Sequence, residues 1–113
     1  MVPGNTRVYL SVGPTDMRKS INGLSILVED CLKLDPFSGH LFVFCNRRRN
    51  IIKILYWDKN GFCLWHKRLE KDRFKWPRNE EEVLLISRRE LGWLMAGLDI
   101  TTAHHRLKYE ILI

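Results

Sequence analysis

The sequence has no apolar run that approaches the roughly 20 residues needed to cross a bilayer as a helix. Residues 1–7 also do not contain the apolar segment of a secretory signal peptide. Cysteine is scarce: Cys31, Cys45 and Cys63 are widely spaced and odd in number. Such cysteines are typical of reduced packing residues and not of a disulfide framework. We therefore expect a cytoplasmic protein with no membrane association.

Sequence signatures of metal and phosphate chemistry are missing as well. No cysteine pair has the C-x-x-C spacing of a zinc site, and Cys63 and His66 would point to opposite faces of a strand. The seven glycines fall singly, so none of them forms a loop that could cradle a phosphate. We expect no metal and no cofactor.

A metal-dependent nuclease would need two or three carboxylates that converge on paired metal ions. The acidic side chains available for this are Asp16, Asp35, Asp58, Glu70, Asp72 and Asp99. Their spacing shows no convergence, and local roles explain several of them. Asp16 is interpreted as a helix cap, Asp35 and Asp58 as turn formers, and Glu70 as an ion-pair partner. We therefore predict no independent catalysis.

What the sequence does have is an ordinary globular composition and an uneven charge. It contains 113 residues, of which 45% are hydrophobic and 28% charged, and we expect one domain over residues 1–113. The net charge is +6, but residues 47–78 alone hold 11 basic and 3 acidic side chains, or +8. Such a stretch attracts polyanions: nucleic acid, an acidic protein surface or anionic lipid.

The hydrophobic pattern predicts an α+β fold. Alternating or apolar runs indicate strands at residues 7–13, 41–45, 51–57 and 62–69, with shorter extended pieces at 74–77 and 83–86. Apolar residues at helical spacing predict a helix over 17–33, capped by Thr15 or Asp16. A second predicted helix covers 88–98.

Ser87 should cap the second helix and Gly97 should lie near its end. We predict an antiparallel sheet of about four to six strands, with the 17–33 helix packed across one face and the 88–98 helix alongside it. Residues 100–113 form a short tail to which we assign no structure.

The basic stretch is interleaved with aromatic side chains, a mixture that nucleic-acid grooves use for phosphate contact and base stacking. We predict phosphate contact by nine side chains: Arg47, Arg48, Arg49, Lys53, Lys67, Arg68, Lys71, Arg73 and Lys75. The candidates for stacking are Trp57, Trp65 and Trp76. In the alternative interpretation these tryptophans pack in the core, and the basic side chains form a solvated sheet face.

Several segments of the sequence resemble one known protein family, in the same order along the chain. They include residues 15–20 (TDMRKS), 35–44 (DPFSGHLFVF), 53–58 (KILYWD) and 73–77 (RFKWP). The chain is similar over roughly residues 7–99 to the TnpB accessory protein, the second open reading frame, of the insertion-sequence-sixty-six transposon family. This family is distinct from the RNA-guided nucleases that share the name TnpB.

The resemblance implies a role in DNA transposition beside a separate, larger DDE-type transposase of the same element. It supplies no catalytic residues, so the predicted site depends on the charge pattern alone. The expected function is a non-catalytic accessory factor that binds or bridges DNA at the element ends. The alternative is an adaptor whose basic face docks on the transposase or on another accessory protein. Arginine and tryptophan suit both surfaces.

Overall fold

The computed structural model describes residues 4–100, which form one five-stranded sheet and two helices. The elements are β1 (Val8–Ser11), α1 (Ile21–Asp30), β2 (Leu41–Cys45), β3 (Ile51–Asp58), β4 (Gly61–Arg68), β5 (Val83–Ile86) and α2 (Arg88–Met95). The strand order is β4-β3-β2-β1-β5. The predicted α+β class, the number of strands and the two helices are confirmed. Of the tail, all residues after Ile100 lie outside the described part of the chain.

The sheet is mixed, whereas the sequence analysis predicted an antiparallel one. β2 pairs with β3, β3 with β4, and β1 with β5 in the antiparallel sense, but β1 and β2 are parallel, with Val8 opposite Leu41. The reason is the connection between them. A parallel pair needs a crossover, usually a helix, and α1 supplies it.

The two helices pack on opposite faces of the sheet, so the prediction that they lie side by side was wrong. Leu24 and Val28 of α1 pack with Phe42 and Phe44, while Leu94 of α2 belongs to the cluster on the other face. All five residues of β2 are buried. A strand that is apolar on both faces must be covered on both faces, and one helix cannot do this.

The first helix begins later than predicted, at Ile21, because residues 16–19 form a turn, and it ends at Asp30, before the left-handed Lys33. The Asp16 carboxylate accepts from the Arg18 backbone N–H at 2.9 Å and from its guanidinium at 2.6 Å. These hydrogen bonds from Arg18 lower the pKa of Asp16 to about 2. Asp16 is therefore no helix cap, and Ser20 occupies the N-cap position of α1 without a side-chain hydrogen bond.

The second helix begins at Arg88 as predicted but ends at Met95, three residues before the predicted end at residue 98. Ser87 and Glu90 form a reciprocal capping box, and Gly97 adopts a φ of 87° just after the helix. The N–H of Gly97 donates to Leu94 and that of Leu98 to Trp93, which is the Schellman pattern. The extended strand at 83–86 is confirmed as β5, but residues 74–77 join no strand ladder.

The two serine caps allow a matched test of helix capping. Ser87→Ala should lower the free energy of unfolding by about 1 kcal/mol, because the Glu90 N–H loses its acceptor. Ser20→Ala should have a much smaller effect, since the Ser20 side chain makes no cap hydrogen bond. Urea unfolding of both variants measures the difference. Equal losses of stability would contradict the capping interpretation.

Candidate nucleic-acid interface

The loop between β2 and β3 is organised by one asparagine. The Asn46 Oδ1 accepts from the backbone N–H groups of Asn50 and Ile51, each at 3.0 Å, and its Nδ2 donates to the Asn50 side chain at 2.7 Å. Arg49 takes a left-handed φ of 64° to close the loop. As a result, Arg47 and Arg48 are exposed at the tip, whereas Arg49 is half-buried.

The chain after β4 is tied to this loop by backbone hydrogen bonds. The Leu69 N–H donates to the Asn50 carbonyl and the Phe74 N–H to the Arg49 carbonyl, both at 2.8 Å. Along this extended segment the side chains alternate: Phe74 and Trp76 are buried, so the basic residues next to them face solvent. The burial of two aromatic rings therefore presents Arg73 and Lys75 on one surface.

Three parts of the chain meet in one groove, which we call the basic groove and whose volume is about 850 Å³. They are the β2–β3 loop, the end of β4 with the segment after it, and the C-terminus of α2. The lining residues are Arg49, Lys67, Leu69, Lys71, Asp72, Arg73, Phe74, Lys75, Met95, Ala96 and Gly97. The lining contains five basic side chains and one carboxylate, so its formal charge is +4.

Lys67 joins the sheet to α2 at this groove. Its ammonium group donates to the Met95 carbonyl at 3.2 Å, at the C-terminal end of α2. The last carbonyls of a helix carry partial negative charge, which a nearby cation stabilises. The α2 C-terminus was not a predicted part of the site. Gly97 was its sequence signal, since it marks where the helix ends.

Arg49 presents an unused hydrogen-bond donor at the groove. Its Nη1 atom is buried, and no side chain or backbone group within residues 4–100 accepts from it. A buried guanidinium nitrogen without an acceptor is costly. Arg49 therefore carries an unsatisfied donor on a side chain that also lines the groove.

The remaining predicted basic residues lie elsewhere. Arg47 and Arg48 border a separate depression of about 480 Å³ with residues 15–18. Arg68 points to the α1 face of the sheet by strand alternation and pairs with Glu70 at 3.1 Å, as predicted for Glu70. The Lys53 ammonium is turned inward and donates to the carbonyls of Met17 and Lys19 at 2.8 and 3.0 Å. Lys53 is therefore buried and does not line the groove.

The three tryptophans proposed for stacking have different environments. Trp76 is buried, and its indole N–H donates to the carbonyls of Ser11 and Val12 at 3.3 and 3.2 Å. Trp57 packs edge-to-face against Phe37 and Phe62, with ring centroids 5.1 and 5.0 Å apart. Trp65 is the most exposed of the three, at 44%, and over half of it is covered.

Other reactive groups do not assemble into a second site in the described residues. Burial raises the pKa of the Cys45 thiol to about 11, so this thiol stays protonated at neutral pH. Within residues 4–100, no three His, Cys, Asp or Glu side chains lie close enough together to hold a metal ion. No helix in that range is long and apolar enough to span a membrane.

The fold and the groove define a small α+β protein with a concave, positively charged surface. The chain belongs to the family described as IS66 Orf2-like protein, which matches residues 6–105. This confirms the resemblance seen in the sequence and places the chain in an insertion-sequence accessory family, which is not known as a catalytic transposase.

Two relatives come from Sinorhizobium fredii (strain NBRC 101917 / NGR234). The uncharacterized protein y4hO is 41% identical over 95 residues, which cover 84% of this chain and 83% of the relative. The uncharacterized protein y4jC is 38% identical over 95 residues, covering 84% of this chain and 81% of the relative. No solved structure matches the chain.

Proposed function

We propose that this protein is a non-catalytic accessory factor of transposition that binds DNA at the ends of its insertion sequence through the basic groove. One observation carries the proposal: five basic side chains from separate parts of the chain line a single concave surface. Family membership supports DNA as the ligand, because an insertion sequence is a DNA element.

The proposed mechanism is phosphate neutralisation. Lysine and arginine side chains release the counterions condensed on DNA, which favours binding without reading the bases. Arg47 and Arg48 are exposed at the tip of the β2–β3 loop, beside a separate depression, and supply further positive charge outside the groove. Among residues 4–100, Asp72 is the one carboxylate that lines the groove, whereas a two-metal nuclease needs several. This composition supports binding and not cleavage.

The salt dependence of duplex binding tests the proposal. If all five basic groove residues contact phosphates, log K should fall against log salt with a slope of about −4 to −5. Fluorescence anisotropy with a labelled duplex, repeated over a several-fold range of salt, measures the slope. Unrelated duplex sequences should give similar affinities. The absence of binding at low salt would contradict the proposal.

An adaptor that docks on the transposase or another accessory protein is the second candidate function. It is favoured by Phe37, which is 56% exposed and packs on Trp57 and Phe62 outside the basic groove. Exposed aromatic clusters of this kind are enriched in protein interfaces. An adaptor without DNA affinity would bind the transposase but no duplex in the salt titration.

A further inference from the structure

Trp65 presents an unexplained aromatic surface next to the basic groove. It lies on β4, an edge strand of the sheet, and its side chain is 44% exposed. Within the described part of the chain its indole packs against no other aromatic ring. Ile54, its partner across the strand pair, is buried and supports it from one side. A flat apolar ring therefore faces solvent.

The position of Trp65 relative to Lys67 is set by strand geometry. Residues two apart share a face of the strand and are separated by about 7 Å, from a rise of roughly 3.3 Å per residue. Lys67 lines the groove and is held at the α2 C-terminus by its hydrogen bond to Met95. The indole thus lies on the same side of the sheet as the groove, next to one of its basic side chains.

We propose that the basic groove and Trp65 together bind single-stranded DNA, with phosphates in the groove and an unpaired base stacked on the Trp65 indole. This inference rests on the proposed DNA-binding function and specifies its ligand. Proteins that hold single strands combine a positive groove with an exposed aromatic ring, because every base has a face that can stack. In a duplex these faces are already stacked on neighbouring bases, so a duplex uses the phosphate contacts alone.

The other predicted stacking residues cannot take this role in the observed fold. The Trp76 indole is enclosed and hydrogen-bonded to backbone carbonyls, and Trp57 is engaged by the rings of Phe37 and Phe62. None of the three tryptophans lines the groove itself, but Trp65 is exposed and shares a strand face with the groove residue Lys67. The base-stacking contribution should therefore depend on Trp65.

The test compares three labelled ligands of equal length: a single-stranded oligonucleotide, its duplex, and a single strand of abasic sites that keeps the phosphates. Trp65→Ala should weaken binding of the single-stranded oligonucleotide on the order of 10-fold and leave the abasic strand and the duplex unchanged. Wild-type protein should prefer the normal single strand to the abasic strand by a similar factor. The salt slope should not change, because no charge is removed.

Leu85→Ala is the matched control, since Leu85 is also an exposed apolar residue on an edge strand, β5. It should leave all three affinities unchanged. Trp65→Phe keeps an aromatic ring and should retain part of the preference for the normal strand. If Trp65→Ala does not fold, Trp65→Phe and the abasic comparison with wild type still decide the question.

The possible failures are distinguishable. Salt-dependent binding of all three ligands, with equal wild-type affinity for normal and abasic strands and no effect of Trp65→Ala, would overturn the stacking proposal and keep the DNA-binding function. In that case Trp65 is better explained as a protein contact. If the wild-type protein binds none of the three ligands at low salt, both proposals are wrong.

Discussion

Changing Lys71, Arg73 and Lys75 together to glutamine is expected to weaken duplex binding on the order of 100-fold at physiological salt. All three side chains are exposed and line the basic groove. Each lost phosphate contact removes about 0.9 from the salt slope, so three should reduce it by about 2.7. The fold should be retained, because exposed substitutions usually change stability by less than about 0.5 kcal/mol each. Anisotropy titrations at several salt concentrations give both quantities.

A control variant removes the same charge at the other end of the sheet. Arg7, Lys33 and Lys59 are exposed and lie away from the β2–β3 loop. Arg7→Gln, Lys33→Asn and Lys59→Asn can be combined, since asparagine tolerates the left-handed φ of Lys33 and Lys59. This variant should keep most of the wild-type affinity. Equal losses in both triple variants would mean that net charge, and not the groove, determines binding.

Trp76→Ala is expected to lower the free energy of unfolding by about 3–5 kcal/mol. The side chain is 7% exposed in the core cluster on the α2 face, and its indole N–H bonds the carbonyls of Ser11 and Val12. The loss is a large part of the roughly 5–15 kcal/mol that stabilises a typical domain. Chemical denaturation measures it directly.

Two companion variants separate packing from surface effects. Trp76→Phe keeps an aromatic ring but loses the N–H donor, so its stability should lie between wild type and Trp76→Ala. Trp65→Ala should cost less than Trp76→Ala, because Trp65 is 44% exposed and Trp76 only 7%. A larger loss of stability at Trp65 than at Trp76 would contradict the described core.

The local features of the fold could be predicted from the sequence. The strands at β2, β3 and β4 follow apolar or alternating runs, and the α2 boundaries follow Ser87 and Gly97. The hairpin after β3 contains the Asn60-Gly61 pair, a dipeptide typical of tight hairpins, although its two turn residues are Lys59 and Asn60 and Gly61 begins β4. Apolar runs, helix caps and turn residues depend on neighbouring residues, so they predict local structure without knowledge of the rest of the molecule.

The pairing of the strands and the placement of the helices depend on distant parts of the chain, so local sequence patterns did not predict them. The parallel pairing of β1 with β2 follows from the crossover through α1. The placement of α2 follows from the sheet face that α1 leaves uncovered. The late start of α1 was missed because Asp16 has the residue type of a helix cap. Its carboxylate instead pairs with Arg18.

The sequence by itself determined the fold class and the location of the positive charge in residues 47–78, because composition and local periodicity depend only on neighbouring residues. The family followed from a different signal, the segments that resemble it. Only the tertiary structure decided which of those charges act together. It gathers Arg49 and Lys67 with residues 71–75 into the groove and turns Lys53 inward. Strand register and interstrand hydrogen bonds bring these side chains together, because such contacts join residues that are far apart in the chain. The same contacts bury Trp76 and leave Trp65 partly exposed.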